Sequence, residues 1–227
     1  TGAVDGETGA DADPLKPISS FTTALADVKA YTYADGYEVT TQMLSDAPGL
    51  ATFLNAEIPY SIDAVIADMI LNGTGTNGEP TGIRYTSGVQ SQSFDTDMVT
   101  TIRKAITKVT RIGGPVTAVL VSPEADEAFD LLQDEDGRYL GNGPWSQGPG
   151  TIWGRPRVVS EQLSGSAEAI LGDWSTVALL DREGLSIEAF NQHLDFARRN
   201  KVYVRAELRA GQAIWRPNRL VRATISD

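Results

Sequence analysis

The sequence predicts an α+β fold with one long helix and a strand-rich C-terminal half. Apolar residues recur at three- and four-residue spacing between positions 47 and 71, the period of a helix face. From residue 151 onward, short runs rich in Val, Ile and Leu are separated by turn residues. Within the last of the long runs, Val202, Val204, Ala206, Leu208 and Ala210 alternate with Tyr203, Arg205, Glu207 and Arg209. That two-residue period is a strand with one apolar face.

Residues 1–17 are rich in Gly, Ala and Asp without an apolar period, which taken alone reads as an exposed loop or flexible terminus. Residues 18–43 are rich in Thr, Tyr and Val and read as extended strands, broken near Asp35-Gly36. The helix over 47–71 carries Leu50, Phe53, Leu54, Ile58, Ile62, Val65, Ile66, Met69 and Ile70. Ser45 or Asp46 can cap it, Pro48 suits its first turn and Asn72-Gly73 ends it. Pro59 removes a backbone donor mid-helix, so a kink or a break into two helices is expected. A Gly-rich loop covers 72–82. A second helix is expected over 95–110 with Asp95 as its cap, stopped by Gly113-Gly114-Pro115. Val116 to Val121 reads as a buried strand, and Ser122-Pro123 as the cap and first residue of a third helix. Asp134 to Gly137 is a turn, and residues 141–150, with four Gly and two Pro, are loop. Strands then follow at 151–159, 168–172, 177–181, 185–190, 202–210 and 220–225.

Composition excludes several functions. The 227 residues hold no cysteine, which removes disulfides, thiol catalysis and thiolate metal sites. No apolar run approaches the ~20 residues that span a bilayer, and no secretory signal opens the sequence. The net charge of -11 argues against sequence-specific nucleic-acid binding, which normally presents a basic face. Charge is uneven, however. Residues 1–14 hold four acids and no base, whereas 198–222 hold Arg198, Arg199, Lys201, Arg205, Arg209, Arg216, Arg219 and Arg222. Complementary edges of this kind would suit self-association; the plainer reading is a solvated acidic tail and a solvated basic strand.

Motifs with chemical meaning are few. Gly73 to Gly78 fits G-x-G-x-x-G, but it follows a helix C-terminus, where the dipole disfavours phosphate, so a connecting loop is the better reading. His193 is the single histidine, without a nucleophile elbow or further ligands to make a triad or zinc site. Asp134, Glu135 and Asp136 lack the spacing and distal Glu of a calcium loop. No cofactor and no metal is expected.

Four ordered segments carry a family resemblance. They are Leu15-Lys16-Pro17 with Phe21, Val39 and Ser45-Asp46-Ala47-Pro48; Leu71-Asn72-Gly73 with Gly82-Ile83; Leu132 to Tyr139 with Ile152-Trp153-Gly154-Arg155-Pro156 and Val158; and Gly172-Asp173, Asn200 to Arg209 and Trp215-Arg216-Pro217. In this order and spacing the sequence resembles the major capsid proteins of tailed bacteriophages, the Hong Kong phage type of fold. The resemblance implies an extended E-loop hairpin over 1–30 and a peripheral domain from 31–74 and 181–210, with a spine helix over 47–71. It implies an axial domain from 75–180 and 211–227, a mixed sheet flanked by helices. On this mapping the chain begins inside the E-loop.

The implied function is structural: self-assembly into pentamers and hexamers of an icosahedral shell around phage DNA, without sequence-specific DNA contact. An acidic subunit suits a wall that contains DNA without adhering to it. The protein would be a virion component made in the bacterial host cytoplasm, with scaffold, portal or decoration proteins as partners besides its own copies. An encapsulin-like compartment shell is the alternative, and a soluble α+β enzyme the more distant one. Some family members weld subunits through a Lys–Asn isopeptide bond assisted by a Glu. By position Lys16, Asn200 and Glu207 correspond to that set, although Lys-Pro and a strand-opening Asn also fit members that do not crosslink. An uncharged Lys amine and a proton acceptor are what such chemistry requires.

Overall fold

The computed structural model describes residues 27–46, 48–140, 150–192, 196 and 198–226. Two sheets organise these residues. The first has three antiparallel strands in the order β1-β8-β7, where β1 is Tyr31–Thr40, β7 is Val177–Phe190 and β8 is Lys201–Ile214. The second has six strands in the order β2-β9-β6-β3-β5-β4. Here β2 is Gln90–Gln92, β3 Ala118–Val121, β4 Thr151–Ile152, β5 Arg155–Val159, β6 Glu168–Gly172 and β9 Leu220–Thr224.

Helix α2 (Pro48–Asn72) lies on the first sheet, preceded by the short α1 (Thr41–Asp46). Ile58, Ile62 and Ile66 of α2 are buried with Tyr33 and Val39 of β1 and Ala206 and Ala210 of β8. These isoleucines recur every fourth residue because that spacing keeps one helical face on the sheet. The two alanines are fully buried beneath them, small side chains that let the helix approach the strand. Burial of each isoleucine contributes about 2 kcal/mol. Ser61 adds a polar tie, its hydroxyl donating to Asp35 Oδ2 at 2.6 Å.

Helices α3 (Met98–Arg111) and α4 (Pro123–Asp130) share one face of the second sheet. Their apolar stripes, Ile102, Ile106 and Val109 on α3 and Ala125 and Phe129 on α4, join Val119, Val121, Leu171 and Val221 in one core. The opposite face packs Ile170 and Leu220 against Ile83, Leu163 and Leu71, the last from the end of α2. Ala169 and Leu171 thus face one layer and Ile170 the other, so β6 is buried on both sides. A polar junction fixes α2 to this sheet. Asn72 Nδ2 donates to Asp68 Oδ1 (2.7 Å) and to the Gln162 carbonyl (2.9 Å), and Asn72 Oδ1 accepts from Arg84 (2.9 Å). Arg84 and Arg222 both pair with Glu168, at 2.9 and 3.5 Å.

Several local expectations are corrected. The chain does not break at Asp35-Gly36: β1 runs through it, opposite Ala206 and Arg205. Gly36 serves packing instead, since a Cβ there would sit 2.5 Å from the Tyr203 hydroxyl and 2.8 Å from the Val204 carbonyl oxygen. Residues 41–43 are helical, and Ser45 and Asp46 end α1 rather than stand as isolated caps. Pro59 does not split α2, which is one helix of 25 residues starting at Pro48 as expected. The cap of α3 is Asp97, whose side chain accepts from the Thr100 amide at 2.6 Å; Asp95 pairs with Lys104 instead. Residues 151–159 are a hairpin, not one strand. Its central residues Trp153 and Gly154 both have positive φ (50° and 71°), as a tight two-residue reversal requires. Residues 177–190 are one long strand whose register shifts between Asp181 and Ser186 absorb the apolar gap that reads as a break. The third helix with its Ser122 cap, the 134–137 turn and the strand face of β8 form as expected. His193 and residues 141–149 lie outside the described residues.

Candidate crosslink residues and assembly surfaces

Asn200 closes the turn that launches β8. Its φ of +52° is left-handed, a conformation Asn tolerates better than most side chains. Its carbonyl accepts from the Thr41 amide at 2.8 Å and the Thr41 hydroxyl at 3.1 Å, tying this corner to the start of α1. Its side chain is exposed. Glu207 sits mid-strand on β8, opposite Ala34 of β1 and Ser186 of β7. Its carboxylate pairs with Arg205 at 3.0 Å. Arg205 also lies 3.7 Å from Glu188 and 5.0 Å from the centroid of the Phe190 ring. Seven residues of extended chain separate Asn200 from Glu207, about 23 Å at a strand's rise per residue. One subunit therefore does not bring them together. Lys16 lies outside the described residues.

The pairing of Glu207 with Arg205 is what sequence reasoning missed. Its signal was present in the alternation of β8, where Arg205 and Arg209 occupy the face opposite the apolar one. β7 supplies Glu188 directly opposite Arg205, and Glu183 opposite Arg209. The bulges of β7 set those partners, and spacing alone does not reveal them.

At least five of the eight cations over 198–222 are ion-paired within the chain, Arg205 as above. Lys201 pairs with Glu38 (3.0 Å), Arg209 with Glu183 (3.3 Å), Arg219 with Asp173 (2.9 Å) and Arg222 with Glu168 (3.5 Å). These cations are neutralised within the chain. Asp173 is the most enclosed of their partners, 2% exposed. The Ser175 hydroxyl (2.5 Å) and the Arg219 guanidinium hold its carboxyl below the usual carboxylate range, against the opposing effect of burial.

Other motifs settle into local structure. The glycine-rich loop after α2 is a turn in which the Glu79 carboxylate accepts from the Thr74 hydroxyl at 2.7 Å. Asp134 Oδ1 accepts from the amides of Asp136 and Arg138, closing its turn on Gly137 at φ +75°. Among the described residues, no group of three or more acids or histidines is placed to hold a metal, and no helix is long and apolar enough to cross a membrane.

Among the described residues, exposed large apolar side chains include Phe53 and Tyr60 on α2, Leu179, Leu180, Leu185 and Ile187 on β7, and Leu131, Leu140 and Trp153 around α4 and the hairpin. Such surface on a chain with well-formed cores marks contacts with other molecules. Residues 1–225 match the model of the phage capsid family. The chain belongs to that family. A curated relative, the major capsid protein of Enterobacteria phage HK97, is 25% identical over 219 residues, covering 93% of this chain and 56% of that protein. The chain thus spans little more than half the length of that relative. Solved structures share the fold. A chain from Mycobacterium phage Adephagia superposes with a TM-score of 0.77 at 16% identity, covering 100% of this chain and 82% of that one. A chain from the capsid of a native GTA particle gives 0.69 at 16% identity, covering 92% of this chain and 80% of that one. The α+β architecture is therefore the phage capsid fold.

Proposed function

We propose that this chain is the shell-forming subunit of a phage virion, assembling as pentamers and hexamers into an icosahedral wall around packaged DNA. The observation that carries it is the family match along residues 1–225, on a chain whose apolar surface is left open on α2, β7 and the hairpin. In this reading residues 1–30 are the E-loop. The first sheet and α2 belong to the peripheral domain (31–74 and 181–210), and the second sheet with α3 and α4 to the axial domain (75–180 and 211–227). Contact with DNA is not sequence-specific. Scaffold, portal or decoration proteins join the same surfaces during assembly in the host cytoplasm.

Lys16, Asn200 and Glu207 are the proposed crosslink set. Lys16 Nζ attacks the Asn200 side-chain carbonyl carbon, the amide nitrogen leaves as ammonia, and Glu207 accepts and returns the proton. The wide separation of Asn200 and Glu207 supports a site made by several subunits, each giving one member. Sedimentation velocity and negative-stain microscopy of the natural full-length chain test the assembly reading: rings or closed shells are expected, and a monomer at every concentration and salt overturns it. A ladder of covalent multimers on a denaturing gel is the expected sign of crosslinking, and monomer alone from assembled shells sinks it.

A further inference from the structure

Charge is segregated between the two helices that cover the second sheet. Residues 98–111, the whole of α3, hold Arg103, Lys104, Lys108 and Arg111 and no acid. Residues 123–137, α4 and the turn after it, hold seven acids and no base. In a chain of net charge -11, a helix bearing four cations and no acid is the exception.

Both sets are only partly paired within the chain; at the end of the acidic stretch Asp136 lies 3.7 Å from Arg138. Among the described residues, only Lys104 of α3 meets a carboxylate, that of Asp95. Arg103 rests against the exposed Trp153 ring, 5.8 Å from its centroid, and Lys108 donates to the Ser91 carbonyl of β2, an edge strand. The α3 macrodipole accounts for cations in its last turn, but not for Arg103 at its centre. On α4, Asp126 and Asp130 both hold Arg157 of β5, at 2.5 Å each. Glu124 is held by hydrogen bonds, among them one from the Ser164 hydroxyl (2.5 Å), and Glu127 is exposed; neither has an ion pair among the described residues. Exposed apolar residues border both charged faces: Ile112 and Trp153 beside α3, Leu131 and Leu140 beside α4 and its turn. An apolar centre with a charged rim is the anatomy of a protein interface.

We propose that the basic face of α3 on one copy docks against the acidic face of α4 and the 134–136 turn on the next copy. The contact is heterologous, because the two faces are different patches of the same chain, and repeated rotation closes it into a ring. It rests on the shell reading above and names where neighbouring subunits meet. Complementary charge fixes their order and speeds their encounter. It also takes the place of the basic C-terminal run, at least five of whose eight cations are ion-paired in cis.

The test is a charge exchange in the natural full-length chain. One variant carries Arg103→Glu, Lys108→Glu and Arg111→Glu, making both faces acidic. The other carries Glu124→Lys, Glu127→Lys and Glu135→Lys, making α4 and its turn basic. All six side chains lie outside the buried cores, so matching circular-dichroism melts are expected. Each variant alone should lose at least tenfold of the wild-type assembled fraction by sedimentation velocity. Combined in one chain, the six substitutions exchange the two faces, so every contact of a five- or six-membered ring is complementary again, and assembly should return to within about twofold of wild type. Wild-type assembly by either triple variant alone, or no recovery in the chain carrying all six substitutions, overturns the proposal. Loss of duplex DNA binding by the first variant with unchanged assembly also overturns it, assigning α3 to nucleic acid. A wild-type chain that never assembles overturns the shell reading and this contact together, and that failure shows in the wild type rather than in the variants.

Discussion

Asp173 offers the sharpest test of how the two ends of the second sheet are held. It lies at the turn after β6, 2% exposed, and accepts from Arg219 (2.9 Å), the Ser175 hydroxyl (2.5 Å) and the Ser175 amide (3.3 Å). Asp173→Ala removes a charge-assisted bond, about 1.5–3 kcal/mol, and a turn cap of about 1 kcal/mol. Arg219 is 22% exposed along its side chain and recovers part of its hydration, which keeps the loss below that of a fully buried broken pair. A cost of about 3 kcal/mol is expected, or a fall in Tm of roughly 6–12 °C for a chain of this size. Urea denaturation across pH then separates the ionic part. The folded carboxyl titrates below its unfolded value of about 3.9, so its contribution is fully present above that pH and fades as pH falls through the lower folded value. The gap between wild type and variant should stay flat from about pH 5 to 8 and narrow below about pH 4. A cost under about 1 kcal/mol would show that Arg219 and Ser175 are held by something other than this carboxylate.

Gly172→Ala should be harsher. Its φ of +149° is closed to most side chains, and a Cβ would overlap the Arg219 carbonyl oxygen, so a loss of at least about 3 kcal/mol or insoluble protein is expected in expression and melting assays. Pro59→Ala should stabilise the subunit by about 1–3 kcal/mol, because it returns one backbone donor to the middle of α2; thermal melting checks this. Ile102→Ala should cost about 2–5 kcal/mol in urea denaturation, since Ile102 is fully buried between α3 and the second sheet. Lys16→Arg and Asn200→Ala should each abolish any covalent ladder from assembled shells while leaving the shells visible by microscopy.

Legibility followed the physics of each segment. The long helix could be read because its isoleucines repeat at helical spacing, and β8 because its apolar face alternates over nine residues. Both signals come from burial on one side only. Where burial is two-sided or pairing is non-local, the signal vanished. The hairpin at Trp153-Gly154 reads as one strand because its reversal needs two residues and a positive φ, which Trp rarely supplies. β7 reads as two strands because its bulges interrupt a period that only the partner strand restores. Asp95 and Asp97 are equivalent as caps in sequence, and the structure chose between them by giving Lys104 to the first. At the crosslink set, sequence matched positions to a family. It could not show that Glu207 already holds Arg205, because that contact depends on side-chain reach along β8.

The distribution of paired and unpaired charge separates the contacts that hold the fold from those left for a neighbour. Ion pairs lie where strands meet: Glu183 with Arg209, Glu188 with Arg205, Glu168 with Arg84 and Arg222. Those on the first sheet are largely exposed, and each such pair adds at most about 1 kcal/mol. Their larger effect is on register, since a one-residue slip of β7 would set Glu183 and Glu188 against neutral side chains. Arg103 and Arg111 on α3 and Glu124 and Glu127 on α4 are exposed and do not set register. They contribute to no core, and the acids of residues 123–137 repel one another except where Arg157 neutralises Asp126 and Asp130 and Arg138 neutralises Asp136. A neighbour carrying the opposite sign relieves that repulsion, so the cost of segregating charge in one chain becomes a preference for the next copy over itself in any other orientation.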